Sequence, residues 1–345
     1  MPAAALRHHR DMLSPGFIED LWYGSHPLSV CLAPLGWAYA GVTQLRRLAY
    51  AAGVLPVQRV PVPVIIIGNI TVGGTGKTPL TIWLANHLCS LGHKPGIISR
   101  GYGGARGKRP QQVRPDSNPY LVGDEPVLMA RRTGCPVAVS PQRYVAAREL
   151  LEHTDCDVLL CDDGLQHLSL GRDLEIAVVD GDRRFGNGRC LPAGPLREPV
   201  RRLKSVAMVV CSGRPGRNEY AMEYAYGDLQ SLASAERTLA LEALRGQRVH
   251  AVAGIGNPAR FFSYLRGFDM RVIRHEFPDH HRYTARDLDF EEKLPLVMTE
   301  KDAVKCEAFA GEEAWYLPVQ AQPDAAFRHR LGVLLEELFD GQETA

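Results

Sequence analysis

One stretch limits what this chain can fold into: Val64 to Leu80, VIIIGNITVGGTGKTPL. Val64 to Ile67 are apolar and β-branched, the composition of a buried strand. Gly, Asn and Thr residues follow, ending in Gly76-Lys77-Thr78. From Pro79 to Leu91 the sequence has helical character. Strand, Gly-rich loop and helix in that order make a phosphate-binding unit. Successive backbone N–H groups and the helix N-terminus face an anion, and Lys77 adds a full positive charge. Thr78 can offer its hydroxyl to Mg²⁺. The strict pattern G-x-x-x-x-G-K-[ST] wants Gly at position 71, and this chain has Thr71. Gly73 and Gly74 can supply the unusual backbone angles instead. Thr71, Val72, Gly73, Gly74, Thr75, Gly76, Lys77 and Thr78 are thus the expected nucleotide loop. The bland alternative, a Gly-rich turn with an exposed Lys, is disfavoured by strand and helix context on both sides.

The 345 residues are enough for about two domains, each with a full core. A formal net charge of +1 does not suggest nucleic acid as a partner. The eight cysteines are scattered, with no C-x-x-C, which fits reduced core thiols better than zinc or disulfides. Near the N-terminus, Leu28 to Val42 carries no charge and is flanked by His26 and by Arg46-Arg47. Trp22, Tyr23, Trp37 and Tyr39 lie nearby. A spanning helix needs about 20 apolar residues, so this one is short. Aromatic residues and a basic end suit a membrane interface. A buried helix packed on the domain is the alternative. Arg46-Arg47 agree with a cytoplasmic basic flank, but Arg7 and Arg10 on the other side leave a half-inserted helix open.

Further along, Lys94–Ser99, Val137–Ser140, Val158–Cys161, Ile176–Asp180 and Val206–Cys211 read as strands. A helix over Arg143–His153 and another opened by Gly123-Asp124-Glu125-Pro126 alternate with them. This predicts a mostly parallel α/β sheet with ligands at the carboxyl ends of its strands. Ser212 to Asn218 reads as a linker. A second α/β unit follows, with strands at Val249–Ala253, Arg271–Phe277 and Leu296–Thr299, a helix at Pro258–Leu265 and a last helix over residues 327–339. The expected division is residues 1–45 as a membrane-associated helical segment, 46–215 as a P-loop domain and 216–345 as a smaller α/β domain.

Asp162-Asp163 after Val158–Cys161 has the form of a Walker B segment, able to hold Mg²⁺ opposite Thr78. Gln166 and His167 follow closely enough to reach phosphate or substrate. Gly254-x-Gly256 lacks the third glycine of a dinucleotide fingerprint and reads as a turn into a helix. Thr299-Glu300-Lys301-Asp302 has the wrong spacing for a guanine-specifying motif, so nothing selects GTP over ATP. Phe277 to Tyr283 concentrates ionisable groups at a strand end. Leu191 to Pro199 is a Pro-fixed loop presenting Arg197 and Glu198, to which physics alone assigns no role.

Ile67 to Pro79 resembles the P-loop of the lipid A 4′-kinases, or tetraacyldisaccharide 4′-kinases. So do Ser99 to Gly103, Gly123 to Pro126, Asp162 to His167, Pro192 to Pro199, Phe277 to His281 and Thr299 to Asp302, in the same order. The Thr71 departure is the family's usual form, and the N-terminal apolar segment looks like its membrane anchor. The resemblance implies phosphoryl transfer from ATP to the 4′-hydroxyl of a tetraacylated glucosamine disaccharide 1-phosphate, at the inner face of the inner membrane. It implies Lys77 and Thr78 for ATP and Mg²⁺, and Asp124 as base paired with His280. Arg143, Asp162, Asp163, Gln166 and Glu198 match other active-site positions. Two rival classes are a P-loop kinase or ligase of a soluble metabolite and a non-enzymatic membrane-associated nucleotide switch. Neither rival needs acceptor-dependent ATP consumption on a lipid.

Overall fold

The computed structural model describes residues 15–104, 109–234 and 236–343. Arg7 and Arg10 lie outside them. The described residues begin with three helices, α1 (Pro15–Tyr23), α2 (Leu28–Cys31) and α3 (Ala33–Ala51). Next come β1 (Val64–Gly68), α4 (Lys77–Ser90), β2 (Pro95–Ser99), β3 (Gln111–Val113), α5 (Pro119–Val122) and α6 (Asp124–Thr133). They are followed by β4 (Val137–Val139), α7 (Arg143–His153), β5 (Val158–Asp162), β6 (Leu174–Asp180), β7 (Met208–Ser212) and β8 (Tyr220–Tyr226). A second group contains β9 (Leu229–Ser231), β10 (Thr238–Leu239), β11 (Arg248–Ala253), α8 (Pro258–Gly267) and β12 (Arg271–Glu276). It continues with β13 (Leu296–Thr299), α9 (Glu300–Cys306) and β14 (Ala314–Leu317). The last elements are β15 (Val319–Pro323) and α10 (Ala325–Glu343).

The larger sheet has nine strands in the order β15-β8-β7-β6-β1-β5-β2-β4-β3. β1 is central and parallel to both neighbours, β5 and β6. Successive side chains of a strand point to opposite faces. Ile65 and Ile67 therefore pack with Leu80, Leu84 and Leu88 of α4 and Val127 and Met129 of α6. Val64 and Ile66 pack on the other face with Ala146, Ala147 and Leu150 of α7. Covered on both sides, β1 reads as an unbroken apolar run rather than an alternating one. The expected parallel α/β class holds. The smaller sheet runs β10-β9-β14-β13-β11-β12, with β11 parallel to β12 and β13.

The expected boundary after residue 215 does not follow the sheets. β8 pairs with β7, and β15 returns to pair antiparallel with β8. α10 then sends Phe327, Leu331 and Leu335 into the same core as α4 and α6. Ser212 to Asn218 looked like a linker because it is rich in Gly, Pro and Arg. It is a turn, with Gly213 at φ 106°, and the Gly213 N–H bonds back to Met222 O. We propose residues 46–226 with 319–343 as the larger unit and 229–317 as the smaller, inserted one.

The charge-free segment is not one helix. It breaks between α2 and α3, and α3 runs on past Arg46-Arg47 to Ala51. α3 seats on the larger unit through Gly36, where a Cβ would come within 2.8 Å of Cys190 O. Tyr39 and Ala40 pack against the α7-side core. The opposite face exposes Leu35, Trp37, Val42, Leu45 and Leu48, each more than half accessible. No helix among the described residues is long and apolar enough to cross a membrane.

Candidate active site

The site grows from the carboxyl end of β1. Asn69 is buried, and its Nδ2 donates to Thr75 Oγ1 at 3.1 Å and to Thr71 Oγ1 at 3.4 Å, closing the loop on itself. The Pro-fixed loop lies alongside: Val72 N–H donates to Pro195 O at 2.8 Å, and Arg197 N–H donates to Ile70 O at 2.7 Å. Thr71 forms an antiparallel bridge with Leu196, and its φ is not positive. This is why Thr can stand where the strict motif has Gly. The left-handed angles fall at Gly73 (φ 102°) and Gly76 (φ 92°), not at Gly74. A Cβ at Gly76 would sit 1.9 Å from Tyr224 Oη. The Gly254-x-Gly256 turn leads into α8 as expected, and it also presses on the loop: a Cβ at Gly256 would come within 2.4 Å of Gly74 N. Both units therefore wall the phosphate-binding loop.

The two Walker-type carboxylates at the end of β5 have opposite environments. Asp163, at φ 50°, accepts from Arg197 Nη1 at 2.9 and 2.8 Å and lies 3.6 Å from Lys77 Nζ. Burial pushes its carboxyl up, but Lys77 and Arg197 outweigh this and hold it well below the usual range. Asp162 is buried and takes only a 3.3 Å bond from Thr81 Oγ1 on one oxygen. Its Oδ2 has no hydrogen-bond partner. Burial, then Glu125 and Asp163, push this carboxyl up to about 7. Thr81, which holds the other oxygen, is one helical turn after Thr78, and a buried, partnerless carboxylate oxygen beside that helix suits a hard divalent cation held chiefly by phosphates and water. No cluster of three His, Cys, Asp or Glu able to hold a metal occurs among the described residues.

Asp124 opens α6, after Gly123 at φ 97°, and its Oδ1 accepts the Glu125 N–H at 2.9 Å. His280 reaches it from the smaller unit, with Nδ1 3.1 Å from Oδ1 and 3.2 Å from Oδ2. An ionised carboxylate only accepts, so Nδ1 carries the proton. Burial pushes the Asp124 carboxyl up, but Lys301, His280 and Lys305 more than offset it and hold the group well below the usual range. Burial pulls the His280 imidazole down, and the bond to Asp124 reverses this to a net rise. His280 stands at φ 59°, a left-handed conformation that costs a non-glycine residue on the order of 1 kcal/mol. The Tyr102 ring packs on its imidazole, with centroids 4.8 Å apart.

Gln166 and Glu198 meet behind the loop. Gln166 Nε2 donates to Glu198 Oε1 at 2.8 Å and to Asn69 O at 3.0 Å. Arg143 reaches the same end of β5. It is buried, and its guanidinium donates to the backbone carbonyls of Ser140 (3.1 Å) and Asp162 (3.4 Å), supporting the end of β5. His167 is held neutral, its pKa pulled down to about 3 by burial and then by Arg143 and Arg100.

A family model described as Tetraacyldisaccharide-1-P 4′-kinase (LpxK) matches residues 28–336. The chain belongs to this family. The tetraacyldisaccharide 4′-kinase of Nitrosococcus oceani is 51% identical over 318 residues, spanning 92% of this chain and 93% of the relative. That of Alkalilimnicola ehrlichii is 53% identical over 308 residues, spanning 89% and 92%. The crystal structure of LpxK from Aquifex aeolicus in complex with ATP has a TM-score of 0.75 and 28% identity, covering 90% of this chain and 99% of that one.

Against this tetraacyldisaccharide 4′-kinase background, the cations around Asp124 are what motif reading missed. Lys301 Nζ lies 2.9 Å from Glu125 Oε1, 3.0 Å from Asp279 Oδ1 and 3.4 Å from His280 Nε2. Lys305 Nζ lies 3.4 Å from Asp124 Oδ2 and 2.9 Å from Asp302 Oδ1. Lys301 and Lys305 are four apart on α9 and so share a face. That spacing was legible, but its target on α6 was not.

Proposed function

We propose that this chain transfers the γ-phosphoryl group of ATP to the 4′-hydroxyl of a tetraacylated glucosamine disaccharide 1-phosphate, giving the 1,4′-bisphosphate. The observation that carries this reading is the Asp124–His280 pair, 3.1 Å apart across two units, Asp124 buried and His280 partly so, in a chain with a P-loop. A binding-only switch has no use for such a pair. The N–H groups of residues 73–78 and Lys77 cradle the phosphates. Asp162, with its partnerless Oδ2, and the Thr78 hydroxyl suit Mg²⁺, which when bound supplies charge compensation on the phosphates. Asp124 accepts the proton of the sugar hydroxyl. Its depressed basicity matches a loose transition state, in which the hydroxyl gives up its proton late. His280 holds the carboxylate in place, and Lys301 and Lys305 keep it ionised at every ordinary pH. Glu198 and Gln166 fix the back of the loop, and Arg143 fixes the end of β5.

The acceptor reading has two supports. A cavity of about 540 Å³ opens beside Tyr102, lined by Arg100, Arg109, Gln111 and Ser140 among others, and its two guanidinium groups suit a phosphorylated sugar. The apolar face of α3 suits half-insertion at the inner face of the inner membrane, where the lipid would be met. The test is labelled ATP with the acylated disaccharide 1-phosphate. A lipid-soluble phosphate product is expected. ATP turnover that ignores the lipid acceptor would overturn the reading.

A further inference from the structure

Arg202 lies between β6 and β7, outside every motif noted above. Its side chain is only 3% exposed. Nη2 donates to Glu175 Oε1 at 2.6 Å, and Nη1 donates to Ser205 Oγ at 2.7 Å. Nε lies at ion-pair distance, 3.4 Å, from Glu198 Oε2. From Glu198 the contacts continue through Gln166 Nε2 to the carbonyl of Asn69, whose side chain in turn holds Thr75. In the other direction, Ser205 Oγ accepts from Arg47 Nη2 at 2.6 Å. Arg47 belongs to α3. It lies seven residues from Ala40 and eleven from Gly36, which places it on the face of α3 that seats on the protein. The opposite face is the exposed apolar one. A continuous polar path thus runs from the seat of α3 to the phosphate-binding loop, with Arg202 at its centre.

We propose that Arg202 is a positioning residue that joins the seating of the N-terminal helix to the shape of the ATP loop. Its planar fork meets three partners in three directions, which a lysine's single point charge cannot do. Removing it leaves the buried Glu198 without its cation, whereas Glu175 keeps Arg172, and Glu198 is then free to leave Gln166. When α3 is unseated, Ser205 loses one of its two donors, Arg47, and the same path slackens from the other end. The path has discrete partners at each joint, one of the means by which energetic coupling can be carried between distant places.

The inference rests on residues 71–78 being the ATP loop, so ATP binding is measured directly, by calorimetry on the full chain. If the unaltered protein binds no ATP, that reading fails, and the proposal with it. With binding present, Arg202→Met should weaken ATP by about tenfold, the size expected for losing charged hydrogen bonds. Arg202→Lys should recover about half of that loss on a logarithmic scale. In turnover assays KM for ATP should rise while kcat and KM for the acceptor hold, a split that a general loss of stability does not produce. Arg47→Ala and Ser205→Ala, at the accessible end, should each weaken ATP by about threefold and should not add in the double variant. These two decide the matter if Arg202→Met does not fold. Wild-type ATP affinity in both surface variants would overturn the link to α3. An Arg202→Met protein that melts earlier yet binds ATP normally would overturn the positioning role.

Discussion

At the scale of residues, the two neighbouring aspartates make opposite demands. Asp162 is a carboxyl whose folded-state pKa, about 7, stands above the ordinary carboxylate value. Its ionised form therefore destabilises the fold. The penalty is absent below the unfolded pKa near 4, grows as pH rises, and is complete above about 7. Asp162→Asn should accordingly raise the melting temperature of the metal-free protein by several degrees at pH 8, and by less at pH 5. The same variant should lose on the order of a hundredfold or more in kcat. Differential scanning fluorimetry at both pH values, beside the lipid kinase assay, checks this; a variant less stable than wild type at pH 8 would contradict it. Asp163 has the reverse sign. Its pKa is depressed, so its stabilisation is present above the ordinary carboxylate value and is lost as pH falls below it. Lys77→Ala, which removes the nearest ammonium from both the phosphates and Asp163, should abolish turnover while far-UV dichroism stays that of the folded protein.

At the scale of elements, the loop glycines separate two physical causes. Gly73 has a left-handed φ but open space around it, so Gly73→Ala should meet backbone strain alone, about 1–2 kcal/mol. Gly76→Ala meets that strain and the Tyr224 hydroxyl, 1.9 Å from the added carbon. ATP affinity should fall several-fold in the first and far more in the second, with Tyr224→Phe returning part of the second loss. Equal losses would mean that the packing of Tyr224 is irrelevant. The apolar face of α3 makes a separate prediction. Trp37→Asp with Leu45→Asp should weaken binding to anionic lipid vesicles relative to the unaltered protein, with ATP affinity retained. The strand–loop–helix unit was legible because its cues are local: β-branched residues, positive-φ glycines and a helix start within one window. β8 and β15 were not. Tyr220 to Tyr226 follows a turn that mimics a linker, and the apolar weight of β15 is slight. β15 finds its partner, β8, nearly a hundred residues away, beyond any window, and β8 pairs with the nearby β7 only across that turn.

At the scale of the whole molecule, the dyad joins the units. Asp124 belongs to the larger and His280 to the smaller, so either variant cuts one tie across the cleft. Asp124→Ala should lower kcat far more than it weakens ATP, because a base acts mainly in the transition state. His280→Ala should do the same to a lesser degree. The double variant should lose much less than the product of the two, and multiplicative losses would refute a coupled pair. The motifs named both residues in advance. They did not show that Lys301, with His280 and Lys305, holds the Asp124 carboxyl low, because the lysine contacts depend on how α9 lies against α6. The return of the chain through β15 and α10 has one more consequence. A ribosome delivers the P-loop early, but the strand that closes the β8 edge and the helix whose Phe327 packs on Trp83 and Tyr220 emerge only after residue 318. Until then the nascent chain carries an open sheet edge and a bare apolar face, both prone to aggregation. Folding of the nucleotide unit thus waits until residues 319–343 have emerged, and a chain released before residue 319 should be a chaperone client rather than a smaller kinase.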